Sequence, residues 1–166
     1  MGIDSRATRF ARLTPEELAR GADVVVHGRV VALESRRDEA GRVFTRIELD
    51  VDEVWKGAIG TGICVVARGG GVLGDTEVRA VGQPEEAVGD EWVAYLVRSA
   101  AGEWVTLGMA QGRFRVTRDE SSGRRWVHNL FWGAPPLSNV ARLAAWPPTR
   151  PLSLEELKRR TQEIAP

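Results

Sequence analysis

Cysteine is almost missing from this chain. Cys64 stands alone, so no intramolecular disulfide can form and disulfide-stapled scaffolds are excluded. Long hydrophobic runs are missing too. The longest early one, Val24 to Val26, falls far short of the roughly 20 residues that cross a bilayer, and no secretory n-region or h-region opens the chain. Lysine is confined to Lys56 and Lys158, so the 23 basic residues are nearly all arginine, a mark of base composition rather than of chemistry. Charge shows no excess of either sign, since 23 acidic residues balance the basic ones. A nucleic-acid binder needs a positively charged track, and a net of zero argues against one. The only histidines, His27 and His128, are scattered singles with Cys64, not the short-spaced pairs of a zinc site. No metal and no cofactor is expected.

What is present fits a single domain. A chain of 166 residues that is 43% hydrophobic can bury a core without staples. Its opening, Met1-Gly2 followed by an unpatterned stretch, reads as what remains after a signal peptide is removed, and so points to a periplasmic or extracellular location. Charge is unevenly spread: residues 34–91 hold seven basic and thirteen acidic side chains, while residues 101–150 hold seven basic and three acidic. Cross-strand pairing of the two halves accounts for this more simply than a surface that steers a partner.

The main signal lies in residues 22–116, where short valine-rich runs alternate with turns. Thr14-Pro15-Glu16-Glu17 spells a capping box with proline at the first helical position, and Gly21 stops the helix near Arg20. A strand is expected over residues 23–35, with Val24, Val26, Gly28, Val30 and Ala32 facing inward. A second covers residues 43–55. There Val43, Thr45, Ile47, Leu49, Val51 and Trp55 share one face, and Phe44, Arg46, Glu48, Asp50 and Asp52 share the other. That alternation predicts an antiparallel sheet wetted on one side. Further strands follow over 63–67, 91–98 and 104–109, then a hairpin over 112–118 and 125–130. Residues 68–82, rich in glycine, read as a flexible loop with a short strand inside it. Pro135-Pro136 and Pro147-Pro148 then interrupt regular structure. A second capping box, Ser153-Leu154-Glu155-Glu156, opens a last helix. The expected divisions are a loose leader at 1–12, a β domain at 13–130 and a proline-rich, helical extension at 131–166.

Five or six short antiparallel strands with a small helix suggest a mainly β, OB-fold-like barrel. Asp23-Val24-Val25-Val26 with Gly28 and Val30, then Val51 and Val54 before Lys56-Gly57, then Gly89 and Trp92 to Val97, resemble the netrin-like domain. That family includes the tissue inhibitors of metalloproteases. The same landmarks, with Gln111-Gly112 and Phe114, are similar to domains of exported bacterial proteins that have no assigned activity. The resemblance implies a five- to six-stranded barrel over residues 13–116. Inhibitors of that family chelate the protease zinc through an N-terminal cysteine. This chain has no cysteine near its start, so the fold carries over and the mechanism does not.

Chemistry is thinly written. Cys64 with His27 or His128 would make a thiolate dyad, but a cysteine among Ile63, Val65 and Val66 is by default a buried apolar residue. Glu48, Asp50 and Asp52 would offer paired acids or calcium ligands, yet carboxylates along a straight strand diverge, and pairing with Arg29, Arg113 and Arg115 explains them. These define the alternative of a small hydrolase. Six tryptophans suggest a single-stranded nucleic-acid binder as a further alternative, though Trp55, Trp92 and Trp104 lie in core patterns. The favoured expectation is a non-catalytic protein-binding module, either protease-inhibitor-like or working in envelope assembly. Its contact residues would be Gly69, Gly70, Gly71 and Leu73 in the glycine loop, with Phe131, Trp132 and Trp146 in the tail. The two tail tryptophans either dock a partner or fold back to lid the barrel end.

Overall fold

The computed structural model describes residues 12–79, 86–129, 131–133 and 150–164. Trp146 and the proline pairs at 135–136 and 147–148 lie outside them. In chain order the elements are α1 (Pro15–Gly21), β1 (Val24–Arg37), β2 (Val43–Lys56), β3 (Ile63–Gly69), β4 (Gly71–Leu73), β5 (Thr76–Val78), β6 (Glu91–Arg98), β7 (Trp104–Thr106), a 3₁₀ turn (Met109–Gly112), β8 (Arg113–Arg118), β9 (Arg125–His128), β10 (Leu152–Ser153) and α2 (Leu154–Ile164). The fold is mainly β, as expected. Both capping signals operate. Thr14 Oγ1 accepts from the Glu17 amide at 3.2 Å and the Glu17 carboxylate accepts from the Thr14 amide. At α2 the Glu156 amide donates to Ser153 Oγ at 3.1 Å. Gly21 is the last residue of α1, one position later than the stop read from sequence.

Five strands close into a ring. β1 pairs antiparallel with β2 on one edge and with β6 on the other. β2 continues to β3, β6 to β7, and β3 meets β7 at one residue pair, Val66 with Trp104. That pair is parallel, which corrects the expectation of a wholly antiparallel sheet. The reason is parity: five strands alternating in direction must meet once with the same direction. Beyond β6 the sheet extends through β8, β9 and β10.

β1 departs from expectation as well. The set expected to face inward is Val24, Val26, Gly28, Val30 and Ala32. Val24, Val25, Val26 and His27 are all buried. Val24, Val26 and Val30 line the ring interior with Ile47, Leu49, Cys64, Val66, Trp92 and Leu96. Val25 points the opposite way into a second core, built with Leu18 of α1, Tyr95, Phe114 and Leu157 of α2. Two helices and the β8–β9 extension cover the face that a bare sheet would wet, so the strand is apolar on both sides. Trp55 belongs to this second core, not to the inner row of β2. The β1–β2 register skips Asp52 and Trp55, and each extra residue turns the side chains after it to the other face.

The helices are tied across the whole chain. Arg160 on α2 grips Glu16 on α1 with Nε–Oε1 at 2.6 Å and an NH2–Oε2 bond at 2.9 Å, and Lys158 donates to Glu53 on β2. Tyr95 and Thr161 share a buried hydroxyl bond of 2.6 Å. The Glu16 carboxyl is held below its ordinary range chiefly by the Arg160 bonds, and Glu53 chiefly by Lys158. Both groups bind protons more weakly folded than unfolded. Their contribution is therefore full above the usual glutamate range and is lost as pH falls through the lowered folded values. Urea unfolding between about pH 6 and about pH 3 should show a falling midpoint, and Lys158→Met with Arg160→Met should flatten that fall. Parallel pH profiles for variant and parent would remove these pairs from the acid response.

Candidate functional site

The glycine stretch is not a loose loop. Gly69 ends β3, and Gly71 and Leu73 begin a separate two-stranded ribbon of β4 and β5, paired Gly71 with Val78 and Leu73 with Thr76. The Gly70 amide donates to the Val43 carbonyl at 2.9 Å, and Thr45 Oγ1 donates to the Gly70 carbonyl at 2.8 Å. Gly71 sits at φ +146°, and a Cβ there would stand 2.4 Å from Thr45 Oγ1 and 2.5 Å from Ser35 Oγ. Gly71 serves a close approach to β1 and β2 that a larger residue would push apart, whereas a Cβ at Gly69 meets nothing within 4 Å. The ribbon itself is open to solvent: Val72 is 61% exposed and Val78 43%. Register puts Val72 beside Glu77 on one face and Val78 with Gly71 and Leu73 on the other.

Phe131 and Trp132 follow an Asn129 turn, in which Asn129 Oδ1 accepts from both of their amides. Trp132 is folded back. Its indole N–H donates to the Leu13 carbonyl at 2.9 Å, its ring packs against the second core, and the Arg12 guanidinium lies over it at 3.7 Å. Of docking outward and folding back, the described position is folded back, onto the second core and not onto the ring interior.

The residues proposed for catalysis are kept apart. Cys64 is buried in the ring interior, where burial pushes its thiol above the ordinary range. His27 follows Val25 on the opposite face, against Trp55 with ring centres 5.9 Å apart. His128 lies on β9 opposite Arg115, and burial lowers its affinity for a proton. Glu48 takes Arg46, its neighbour on the same strand, at 2.8 Å, while Asp50 and Asp52 are exposed. The arginines expected to pair with them are engaged elsewhere: Arg29 with the Gly89 carbonyl, Arg113 with Glu86, Arg115 with Asp90. Arg29 lies opposite Asp50 in the β1–β2 register but reaches Gly89 instead, while Arg113 and Arg115 stand on β8, which pairs with β6 and β9 and not with β2. Among the described residues no three histidine, cysteine or acidic side chains are grouped to hold a metal.

Two buried polar networks were not legible in the sequence. His27 Nε2 lies 2.6 Å from Glu91 Oε1, while Nδ1 faces Glu53 Oε1 at 3.5 Å, too far for a hydrogen bond. Arg125 also reaches Glu91, at 3.3 Å. The second network sets charged groups against Trp92 of the ring interior. Glu86, almost fully buried, receives Arg113 NH1 at 2.8 Å and Arg68 NH2 at 2.9 Å, and Arg113 lies over the Trp92 ring at 4.1 Å. Arg68 Nε is also close, 2.5 Å from Glu86 Oε1, but without hydrogen-bond alignment. Sequence reasoning also missed a groove of about 470 Å³ on the outer face of β2 and β3, with Phe44, Ile63, Val65 and Trp104 in its lining. The alternate outward positions Phe44 and Arg46 were its only sequence trace.

No protein-family model and no curated protein matches this chain. No helix among the described residues is long and apolar enough to cross a membrane.

Proposed function

We propose that this domain is a non-catalytic protein-binding module of an exported bacterial protein, built on an OB-type, netrin-like scaffold. Protease inhibition by a route other than zinc chelation, or envelope assembly, are its specific forms. The observation that carries the reading is the β4–β5 ribbon. A two-stranded hairpin is marginal on its own, yet this one stands outside the main sheet and shows valine to solvent on both faces. Glycine contacts fix its base, and a partner strand or surface would complete its packing. Gly69, Gly70 and Gly71 then set the ribbon's position, Leu73, Val72 and Val78 supply the contact, and the anchored Phe131–Trp132 turn belongs to the scaffold. The closed five-strand ring and the order of the valine landmarks support the scaffold assignment.

The test is affinity capture from a native envelope extract with parent and Val72→Asp/Val78→Asp domains. The variant should lose the captured protein, with stability changed by no more than about 0.5 kcal/mol per site, as for ordinary surface positions. Capture of the same protein by both would sink the assignment.

A further inference from the structure

The ring has one weak join. β3 pairs with β2 through seven residue pairs but with β7 through only one, so most of its second edge is not laddered. The outer-face groove opens beside this join, lined by Ile63 and Val65 of β3 and by Arg98 and Trp104 across the gap. Its floor is apolar and its rim is cationic. Arg36, Arg46 and Arg98 face Glu103 as the one acidic side chain in the lining. Arg36 and Arg46 each hold a partly exposed carboxylate on their own strand, Glu34 and Glu48, at 2.8 Å. Such solvent-exposed pairs exchange readily for a better ligand. Arg98 is different. Its guanidinium lies over Trp104 at 3.8 Å and donates to the Gly102 carbonyl; the Asp23 carboxylate takes the Arg98 backbone amide, and no carboxylate among the described residues pairs with the guanidinium. A guanidinium stacked on an indole is oriented in advance and keeps donors for a carboxylate.

We propose that this groove takes an extended acidic segment of a partner protein. Aliphatic side chains of that segment lie on Ile63 and Val65, carboxylates reach Arg98 and Arg46, and its main chain pairs with the open edge of β3. Strand addition supplies affinity through backbone bonds and specificity through alternate side chains. The unladdered edge and the cationic rim together select an extended acidic chain over a compact apolar ligand. The inference rests on the protein-binding reading, but no residue of the ribbon lines the groove, so the two surfaces fail separately.

The experiment titrates the isotope-labelled domain with a synthetic peptide of roughly nine residues alternating valine and glutamate, and with its valine–lysine counterpart. Amide shifts should appear at residues 63–66 and 98–104 with the acidic peptide, whose affinity should exceed that of the basic one by about tenfold or more. Arg46→Gln with Arg98→Gln should remove that preference, and Val72→Asp should leave it intact. Equal binding of both peptides, shifts confined to other surfaces, or no shifts at millimolar peptide would overturn the proposal. If the double variant does not fold, the two peptides on the parent domain decide the matter.

Discussion

Replacing Glu86 with alanine is expected to destabilise the fold by about 3–5 kcal/mol, the usual cost of leaving a buried charge without its partner. Glu86 keeps 4% of its side chain exposed and Arg113 5%, so neither can turn to water when the other is removed. Burial already lowers the Arg113 affinity for its proton, and Glu86 is what opposes that. The loss should appear as a lower urea midpoint with an unchanged slope. An asymmetry is expected as well. Arg68→Met, Glu86→Leu and Arg113→Met made together should recover most of the loss, because a packed apolar triad removes the charges along with their desolvation. A loss below about 1 kcal/mol for Glu86→Ala would mean that both guanidiniums reach solvent.

Gly28 is the second position where a small change is costly. A Cβ there would stand 2.3 Å from the Asp50 carbonyl oxygen and 3.1 Å from the Val51 Cα. Both are backbone atoms of β2, so nothing can rotate away. The strands must separate at a place where β1 is paired on both edges and buried on both faces. Gly28→Val should cost about 3 kcal/mol, the upper end for overpacking a core, and Gly28→Ala somewhat less. Gly60 is the control, since a Cβ there meets nothing within 4 Å. Gly60→Ala should be neutral or slightly stabilising in the same thermal melt. Equal melting of the two alanine variants would refute the close crossing of β1 and β2.

The crossing at Gly28 also shows how far the sequence could be read. A glycine inside a valine run marks either a bend or a close backbone approach, and the capping boxes at Thr14 and Ser153 mark two helix starts, because these are local signals. The alternation of β2 placed Val43, Thr45, Ile47 and Leu49 correctly for the same reason. Trp55 was misplaced because a bulge at Asp52 leaves no mark in composition, yet it reverses the facing of the residues after it. The second face of β1 is buried only once α2, more than 100 residues later, helps to cover it. The networks around His27 and Glu86 depend on register between strands that are remote in sequence, so no spacing rule points to them. The ribbon was read as a loop because three glycines in a row suggest freedom, whereas Gly71 here permits contact.

The pairing of α1 with α2 has a consequence for biosynthesis. Glu16 emerges first and its partner Arg160 is 144 positions behind it. Until residues 154–164 leave the ribosome, Leu18, Val25, Tyr95 and Phe114 wait without the Leu157 and Thr161 that cover them. Such long-range closure slows folding, and an uncovered apolar face on a nascent chain invites a chaperone. Stalling translation just before Leu154 should therefore yield a chain held by chaperone holdases, and release of the last turns should free it.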